Sequence, residues 1–598
     1  MRVLLCALNA KFIHSNLAVH HLQEYARFSF SIQVEVEEYT INQHFDEILR
    51  DIYKKKPDLI GFSCYIWNIS YVERLIVELK KILPETKLWL GGPEVSYNAI
   101  EVLEKYPQLS GIVKGEGEEA FARILKVEGY KEHCKEIHKE ADKEIYKRGY
   151  EETFEENNME DILGIAYRDE RGEIKETPMV KHIELDSLPF PYRDLSSLEN
   201  RIIYYESSRG CPYSCSYCLS SAEDEVRFKT LKRVKEDIKV LINNDVPQVK
   251  FVDRTFNCDG RRAREIWRFI QDHDNGKTNF HFEIAGDLLG EEDFELLGTF
   301  RQGLVQFEIG VQSTNSWTLK EINRVMDFSL VERGVSRLKE SQNIHLHLDL
   351  IGGLPKEDMD SFIKSFNQVY QLKAEHLQLG FLKLLKGSLL DKNKEIYGLV
   401  VQEHPPYEVL ATKWLDFNEI LRIKAVEEMV EIYYNSGQFL HSINWLEKKF
   451  PSPFYLYESL GDFYNLNDGK AHNHSREKRY EMILEFVKSE LWNGNEGKKE
   501  AEEFRQLLIL DYYLRENPKK RPAFAGEEAL SKEAIKEFYD KESVEFNYLT
   551  DYQGMEKRKI RKMTHLESIN GKVYLFDYLG KSSWNHQAKI HIVSMVKF

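Results

Sequence analysis

The chain has 598 residues, a length that predicts about three to five domains rather than one core. Hydrophobic residues make up 42% and charged residues 30% of it, which excludes a disordered or fibrous protein. The net charge of −16 disfavours non-specific binding to nucleic acid. No apolar run is long enough to span a bilayer, and no cleavable signal pattern follows Met1. We therefore expect a cytoplasmic protein without a membrane or nucleic-acid partner, in which the cysteines are reduced thiols, metal ligands or catalytic groups.

Residues 1–130 alternate short apolar strands with amphipathic helices, which predicts a doubly wound, Rossmann-like parallel sheet. The predicted strands cover residues 3–8, 34–36, 59–63, 88–92 and 111–113. A sheet of this kind binds ligands at the carboxyl ends of its strands. Small residues stand at or just after three of those ends, namely Ser63, Gly91, Gly92, Gly115 and Gly117. Their size lets a large ligand approach the backbone closely.

A second alternation of strands and helices, at residues 196–395, predicts a partial parallel (β/α)6 barrel. Its predicted strands cover residues 202–207, 249–253, 280–285, 305–311, 345–351 and 377–382. Between the two sheets, residues 131–195 predict a charged, solvated linker that ends in a small hairpin. Residues 396–598 predict an accessory domain that is mostly helical, with a small terminal β element.

Polar residues recur on one face of the predicted barrel strands. They are Gln306, Glu308, Gly310 and Gln312 in the fourth strand, His281 and Glu283 in the third, and His345, His347 and Asp349 in the fifth. Because helices cover the outside of a parallel barrel, these residues predict a lumen that binds a ligand.

Three cysteines lie close together in the order Cys211-x3-Cys215-x2-Cys218. Three thiolates on one tight loop can bind three irons of a 4Fe-4S cluster and leave the fourth iron without a protein ligand. A tetrahedral zinc site would need a fourth Cys or His, and none follows in residues 219–228. The triplet therefore favours an iron–sulfur cluster with one open iron.

The triplet, with Tyr217 before its last cysteine and a position after the first barrel strand, resembles that of the radical SAM superfamily. Residues 251–257, 307–313 and 349–355 resemble strand motifs of the same superfamily. The resemblance implies that the open iron chelates S-adenosylmethionine (SAM). It also implies that one electron cleaves SAM to a 5′-deoxyadenosyl radical, inside a lumen that excludes water and oxygen.

The resemblance also implies roles for individual residues. By motif position, Cys211, Cys215 and Cys218 are the catalytic and metal-binding residues that hold the cluster, and the backbone around Tyr217 contacts adenine. Glu283 and Gln312 face the predicted lumen and are candidates for polar contacts with SAM, followed by Asp253 and Thr255. The second strand lacks the Gly-Gly-Glu that many members use for the SAM amino group.

The first domain resembles the cobalamin (B12)-binding domain of cobalamin-dependent radical SAM enzymes. The resemblance rests on Gly61-Phe62-Ser63, on residues 90–94 and on residues 113–118, all ahead of the barrel. It implies that Ser63, Gly91, Gly92, Gly115 and Gly117 line the cobalamin. Many cobalamin proteins supply a histidine to cobalt through Asp-x-His-x-x-Gly, but Phe12 and Leu17 replace the Asp and Gly around His14. We therefore expect no histidine on cobalt.

The favoured function is C-methylation of an unactivated carbon by a cobalamin-dependent radical SAM enzyme, with electrons from a flavodoxin- or ferredoxin-like donor. Radical cyclisation or oxidation without methyl transfer is a close alternative. Another is a tRNA methylthiotransferase-like enzyme with a second cluster on Cys6 and Cys64, although Cys134, the third cysteine it would need, falls in the charged linker. A cobalamin-dependent sensor without activity is the third. Cys258, at the rim of the predicted site, is a hydrogen donor, an extra ligand or a packed thiol.

Overall fold

The computed structural model of the protein describes residues 1–139, 158–179, 182–219, 225–467, 474–491, 494–527, 530–582 and 584–593. The chain forms a first domain, a barrel and a C-terminal domain in this order. The predicted α/β fold class is confirmed.

The first domain contains a sheet in the order β2-β1-β3-β4-β5-β6-β7. Its strands are β1 Val3–Asn9, β2 Glu35–Thr40, β3 Leu59–Ser63, β4 Lys87–Gly91, β5 Gly111–Val113, β6 Ile165–Arg168 and β7 Ile174–Glu176. Its helices are α1 Leu17–Phe30, α2 Phe45–Lys55, α3 Ile69–Ile82, α4 Pro93–Ser96, α5 Ala99–Lys105 and α6 Glu118–Lys139. β1 to β5 are parallel and follow the 2-1-3-4-5 order, whose ligand crevice opens where the strand order reverses, between β1 and β3.

Helices cover both faces of this sheet, as its apolar strands require. Leu4, Cys6 and Leu8 of β1 enter one core, and the alternate residues Val3, Leu5 and Ala7 enter the other. The two faces are therefore filled by packing, and the carboxyl edge of the sheet is left for a ligand.

The hairpin predicted at the end of the linker belongs instead to the first domain. β6 pairs antiparallel with β5, and β7 pairs antiparallel with β6. The physical reason is that Ile165, Ala166 and Tyr167 are buried, so β6 extends the apolar sheet beyond the short strand β5. Helix α6 continues into the predicted linker as far as Lys139, and the rest of that charged run, at 140–157, lies outside the described residues.

The barrel is a parallel sheet in the order β8-β11-β12-β13-β14-β15, as the sequence predicts. Its strands are β8 Ile202–Tyr205, β11 Gln248–Phe251, β12 Asn279–Ile284, β13 Val305–Gln312, β14 His345–Gly352 and β15 His376–Phe381, with a small ribbon of β9 Ser208–Arg209 and β10 Arg227–Phe228 after β8. Its helices are α7 Leu231–Asn243, α8 Gly260–Asp272, α9 Glu291–Leu297, α10 Ser316–Glu321, α11 Phe328–Glu340, α12 Met359–Gln371 and α13 Leu389–Lys392. In β13 and β14, buried and half-buried residues alternate, so one face packs under helices and the other lines a lumen.

Both edges of the open barrel are covered by other parts of the chain. Ile202 of β8 donates its N–H to Ile13 O and accepts from Ser15 N. At the opposite edge, the Asn435 side chain accepts from Leu377 N and donates to Leu377 O of β15. One residue of each edge strand therefore has its backbone groups bonded from outside the sheet, which reduces the exposed hydrogen-bonding groups that an open sheet presents.

The C-terminal domain is mainly helical and ends in a three-stranded antiparallel sheet. Its helices are α14 Phe417–Val430, α15 Leu440–Leu446, α16 Pro453–Asn467, α17 Arg476–Leu491, α18 Gly494–Arg515, α19 Lys532–Glu545 and α20 Lys557–Met563, and its strands are β16 Val400–Val401, β17 Val409–Ala411, β18 Thr564–Ile569, β19 Lys572–Asp577 and β20 Lys589–Val593. Trp584 reaches His345 at the start of β14, so this domain contacts the amino end of the barrel. No helix in the described ranges has the length and apolar character that crossing a lipid bilayer requires.

Candidate functional site

The cysteine triplet lies on a loop that begins and ends at the β9–β10 ribbon. Ser216, within the triplet, donates its N–H to Ile322 O at 2.9 Å and accepts from Leu390 N at 2.8 Å. Cys218 N donates to Cys215 O at 3.1 Å. The barrel therefore fixes the backbone of the loop at Ser216, directly after Cys215.

The thiols lie among polar groups of the barrel. Cys211 Sγ is 3.6 Å from Thr255 Oγ1, and Cys215 Sγ accepts from Arg324 Nη1 at 3.7 Å. Burial raises the pKa of the Cys215 thiol, and the Arg324 guanidinium opposes that rise. Among the described residues, no three His, Cys, Asp or Glu side chains converge on a single metal ion. Thiolates that each bind a different iron of a cluster do not need to converge in this way.

Arg324 is a site residue that the sequence analysis missed. Its guanidinium also donates to Gly310 O, so it joins the cysteine loop to the end of β13. Arg324 follows α10 in an irregular segment, where no periodicity marks a residue as inward-facing.

Gln312, at the end of β13, has an unused polar group. Its φ is +71°, a left-handed conformation that is strained for a residue other than glycine, and the register of β13 shifts between Gly310 and Gln312. A Cβ on Gly310 would lie 2.3 Å from Gln312 Nε2, so the glycine makes room for this side chain. Gln312 Oε1 is buried and accepts no hydrogen bond from the described residues. The residue is therefore prepared to accept one from a ligand.

Glu283 lies on the same face, as its position in β12 predicts. Burial raises its pKa to about 7, with Arg254 opposing the rise. Lys250 Nζ is 3.9 Å from Glu283 Oε1 and 2.9 Å from Glu308 Oε2. The two carboxylates share one lysine, so Glu283 is the one left available to a cationic or hydrogen-bond-donating ligand.

Deeper in the lumen the polar side chains lie within ion-pair distance of one another, although His281 Nε2, His347 Nε2 and Asp349 Oδ1 make no hydrogen bond with the described residues. His281 Nε2 is 3.1 Å from Glu308 Oε2, and together with Lys250 it holds the pKa of Glu308 below its usual range, although burial alone would raise it. His347 Nε2 is 3.0 Å from Asp349 Oδ1. Burial lowers the pKa of His376, whose ring lies 4.2 Å from that of His347, to about 4. These contacts agree with the predicted polar lumen.

Asp253, Thr255 and Tyr217 take other positions than a lumen contact. The Asp253 carboxylate accepts from Ser207 N, Ser207 Oγ and Ser208 Oγ at 2.6–2.9 Å, at the start of the cysteine loop. Thr255 faces Cys211, and the Tyr217 side chain packs against the barrel core. Asp253 therefore positions the loop, and the contacts of Asp253, Thr255 and the backbone around Tyr217 with SAM stay predictions.

Several glycines assigned to cobalamin have a packing reason of their own. Gly92 has a φ of +108°, and a Cβ there would lie 2.5 Å from Cys64 O. A Cβ on Gly115 would meet Met179, and one on Gly117 would meet Val113 and Leu22. At Gly91 a Cβ would make only ordinary contacts at 3.7 Å, and Ser63 accepts from Asn16 Nδ2 at 3.3 Å. The glycines alone are therefore weak evidence for a ligand, and their contact with cobalamin stays a prediction.

Aromatic side chains give stronger evidence at the same edge. Phe12, Trp67 and Tyr97 follow β1, β3 and β4 and are 67%, 43% and 48% exposed. The Trp67 ring stacks on Tyr65, with centroids 4.4 Å apart and planes inclined by 5°. Exposed aromatic side chains at the carboxyl edge of a doubly wound sheet offer apolar surface to a large, flat ligand.

The carboxyl edge of the first sheet lies across the gap of the open barrel. On one side, the loop after β1 pairs with β8, and Glu118 after β5 pairs with Arg209 after β8. On the other side, Glu94 after β4 accepts from Tyr407 Oη at 3.2 Å and lies 3.5 Å from Lys386 Nζ, beyond β15. A ligand bound at this edge therefore faces the lumen.

His14 lies at this interface, where its Nδ1 is 2.9 Å from Tyr204 Oη of β8. That contact occupies only Nδ1 of the imidazole, so the expectation that His14 does not bind cobalt stays a prediction. Cys6 and Cys64 are fully buried, and burial raises the pKa of both thiols. Buried, protonated thiols favour packing over a second cluster. The Cys134 side chain lies outside the described residues, and Cys258 is half-buried beside the turn that carries Thr255.

Three regions of the chain match known protein families. Residues 3–125 match the B12 binding domain, and residues 205–369 match the radical SAM superfamily. Residues 395–593 match a family described as a protein of unknown function, DUF4080. These ranges fall on the first domain, the barrel and the C-terminal domain.

Relatives with assigned names match about half of the chain. The chain is 25% identical over 368 residues to the cobalamin-dependent radical SAM methyltransferase TokK of Streptomyces tokunonensis. The alignment covers 58% of this chain and 50% of TokK. It is 23% identical over 332 residues to the anaerobic magnesium-protoporphyrin IX monomethyl ester cyclase of Rubrivivax gelatinosus. That alignment covers 54% of this chain and 55% of the cyclase. The chain thus spans about half the length of these relatives.

Two solved structures share the fold. The cobalamin-dependent S-adenosylmethionine radical enzyme OxsB aligns with a TM-score of 0.57 at 15% identity, over 85% of this chain and 79% of OxsB. The radical S-adenosylmethionine methyltransferase TsrM of Kitasatospora setae aligns with a TM-score of 0.52 at 16% identity, over 68% of this chain and 79% of TsrM. At these identities the likeness shows the fold alone. The family matches identify residues 3–125 as a B12 binding domain and residues 205–369 as a domain of the radical SAM superfamily.

Proposed function

We propose that the protein is a cobalamin-dependent radical SAM enzyme that methylates an unactivated carbon. The observation that carries the proposal is the placement of the first sheet's carboxyl edge across the gap of the barrel, between β8 and the segment after β15. One cofactor activates the substrate carbon and the other supplies the methyl group, so both must reach the same substrate. In this chain, ligands bound at the crevice of the first sheet and at the cysteine loop would both face the same lumen.

The residues present fit the cofactors that the two domains imply. Cys211, Cys215 and Cys218 would hold a 4Fe-4S cluster through three irons. The buried acceptor of Gln312 suits the amino group of SAM, and the guanidinium of Arg324 suits its carboxylate. For cobalamin, the exposed aromatic residues of the crevice offer a flat apolar surface, and Gly91 leaves the backbone accessible.

When bound, these groups would supply reductive cleavage of SAM to a radical that abstracts a hydrogen atom from carbon, and a carrier for the methyl group. The chain supplies orientation and shielding. Arg324 connects the cysteine loop to Gly310 and so keeps the SAM contacts in register with the cluster. Glu283 carries a pKa of about 7, so near neutral pH it can hold or release one proton beside the reacting centre. The first domain closes the gap through which water would enter the lumen.

The test is a product analysis of the anaerobically reconstituted full chain. Cobalamin retained after desalting, together with about four irons per chain, is the expected result, whereas about eight irons would support the methylthiotransferase-like alternative. Methylation predicts equal amounts of 5′-deoxyadenosine and S-adenosylhomocysteine during turnover. Absence of S-adenosylhomocysteine with a substrate that consumes SAM would contradict methylation.

Radical cyclisation is the second candidate, because the chain is also similar to an anaerobic magnesium-protoporphyrin IX monomethyl ester cyclase. Cyclisation predicts 5′-deoxyadenosine without S-adenosylhomocysteine, so the same assay separates the two.

For either reaction we propose a flavodoxin- or ferredoxin-like electron donor, since the cluster takes one electron at a time. We also propose a cytoplasmic location, where the thiols stay reduced.

A further inference from the structure

A buried ion cluster joins the first domain to the ribbon that closes the cysteine loop. Arg209 of β9 and Arg227 of β10 are register partners in this ribbon. In the first domain, Glu116 lies in the loop after β5, and Glu118 is the first residue of α6, at the end of that loop. The four charged side chains meet at the interface, where none of them is more than 17% exposed.

Arg209 lies between carboxylates of both parts of the chain. Its guanidinium pairs with Glu118 Oε1, and it lies 3.4 Å from Glu116 Oε2. Its Nε donates to Glu206 Oε1, beside β8, at 2.8 Å. Because a guanidinium is planar with donors in a fixed fork, these partners together fix its orientation.

Arg227, the other half of the ribbon, is held from the same loop. It pairs with Glu116 Oε1 and donates to Ile183 O at 2.9 Å. Glu116 also accepts from Ile183 N at 3.0 Å. Both strands that close the cysteine loop are therefore attached to one acidic loop of the first domain.

The attachment reaches the first cluster ligand through a single residue. Gly210, between Arg209 and Cys211, has a φ of +93°. Because only this residue separates Cys211 from the ribbon, the position at which Arg209 is held sets the point where the chain enters the cysteine loop.

We propose that Glu118 and Glu116 are positioning residues for the cysteine triplet: through Arg209 and Arg227 they hold the closing ribbon, so that the B12-binding domain keeps the loop in its cluster-binding geometry. The inference rests on the proposed function for the identity of the cluster. The ordering of the loop by the first domain is a property of the chain itself.

Hydrogen exchange of the cofactor-free full chain tests the ordering directly. We expect Glu118→Gln to speed amide exchange in peptides that contain residues 207–211 and 226–229 by roughly 10- to 100-fold, the effect of a lost charged hydrogen bond. Arg209→Lys keeps the positive charge but loses the planar arrangement of guanidinium donors, so it is also expected to speed exchange in these peptides. Glu119→Gln is the matched control, because Glu119 pairs with Arg123 within α6.

The second measurement is the rate at which an iron chelator removes iron from the reconstituted full chain. We expect faster removal from Glu118→Gln and Arg209→Lys than from wild type or Glu119→Gln. If Glu118→Gln and Arg209→Lys exchange amide hydrogens and lose iron at the same rates as Glu119→Gln, the inference is overturned. Exchange that rises equally throughout the first sheet also overturns it, because it indicates a loss of overall stability rather than of loop order.

The two proposals fail in different ways. A wild-type chain that takes up no iron contradicts the proposed function, while the exchange experiment still decides the inference because it needs no cofactor. If Glu118→Gln does not fold, Glu116→Gln replaces it, since Arg209 then keeps Glu118 and Glu206. In that variant, faster exchange confined to residues 226–229 supports the inference, and unchanged exchange overturns it.

Discussion

In the barrel, the residues assigned to a ligand are polar side chains, and at least one of them has a buried atom with no partner among the described residues. In the first domain, most of the assigned residues are glycines whose space the chain itself fills. Gln312 Oε1 is buried and unpaired, whereas a Cβ on Gly92 would collide with Cys64 O. The comparison shows that an unused hydrogen-bonding group on the lumen face is better evidence for a ligand than a glycine, which often serves only the backbone.

The largest expected effect lies in the barrel. Cys215→Ala removes a predicted cluster ligand, so we expect the full chain to lose the cluster and to form no 5′-deoxyadenosine. Iron content and product analysis measure this. Cys64→Ala, in the first domain, is the control, because Cys64 is a buried thiol whose burial raises its pKa. Equal loss of iron in both variants would show that the two regions do not differ as described.

Gln312 allows a sharper test, because its strain and its ligand contact can be separated. Gln312→Gly removes the amide and accepts the φ of +71° without strain. We expect SAM to bind roughly 10- to 100-fold more weakly. We also expect the melting temperature of the cofactor-free chain to stay the same or to rise. A variant that binds SAM normally would remove Gln312 from the site.

The neighbouring glycines of the first domain test the other half of the comparison. Gly92→Ala is expected to destabilise the chain by about 1–3 kcal/mol with or without cobalamin, because of its positive φ and the contact with Cys64 O. Gly91→Ala has room for its Cβ, so we expect it to fold and to retain less cobalamin. Thermal unfolding and absorption after desalting distinguish the two. Normal cobalamin retention in Gly91→Ala would argue against Gly91 as a contact.

Glu283 gives a pH-dependent prediction. Its pKa is raised to about 7, so the folded chain binds a proton there that the unfolded chain has released. Its stabilising contribution is complete below the unfolded pKa of about 4.3 and is lost as the pH rises through about 7. We expect Glu283→Gln to reduce the fall in stability across this range by about 1–3 kcal/mol, measured by thermal unfolding without cofactors. Glu308→Gln is expected to lower the stability at neutral pH, because Lys250 and His281 stabilise the ionised Glu308 and hold its pKa low.

The sequence predicts those parts of the structure that follow from strand and helix periodicity. The order of apolar segments predicts both sheets, and the alternation along β13 predicts its lumen face. It does not predict that β6 joins the first sheet, because β5 and β6 are short and pair across a long insertion. Arg324 is missed for a related reason: it lies in a loop, and only tertiary contacts with Gly310 and Cys215 show its place.

The smallest effect concerns His14, at the contact between the two regions. The loop that carries a cobalt-binding histidine in many cobalamin proteins here pairs with β8, and His14 bonds to Tyr204. His14→Ala is therefore expected to cost about 1 kcal/mol of stability, the value of one hydrogen bond, and to leave the absorption spectrum of bound cobalamin unchanged. Tyr204→Phe removes the same bond from the barrel side and should cost a similar amount. A spectral change in His14→Ala that Tyr204→Phe lacks would instead place the imidazole on cobalt, and the loop would then serve the cofactor as well as the domain interface.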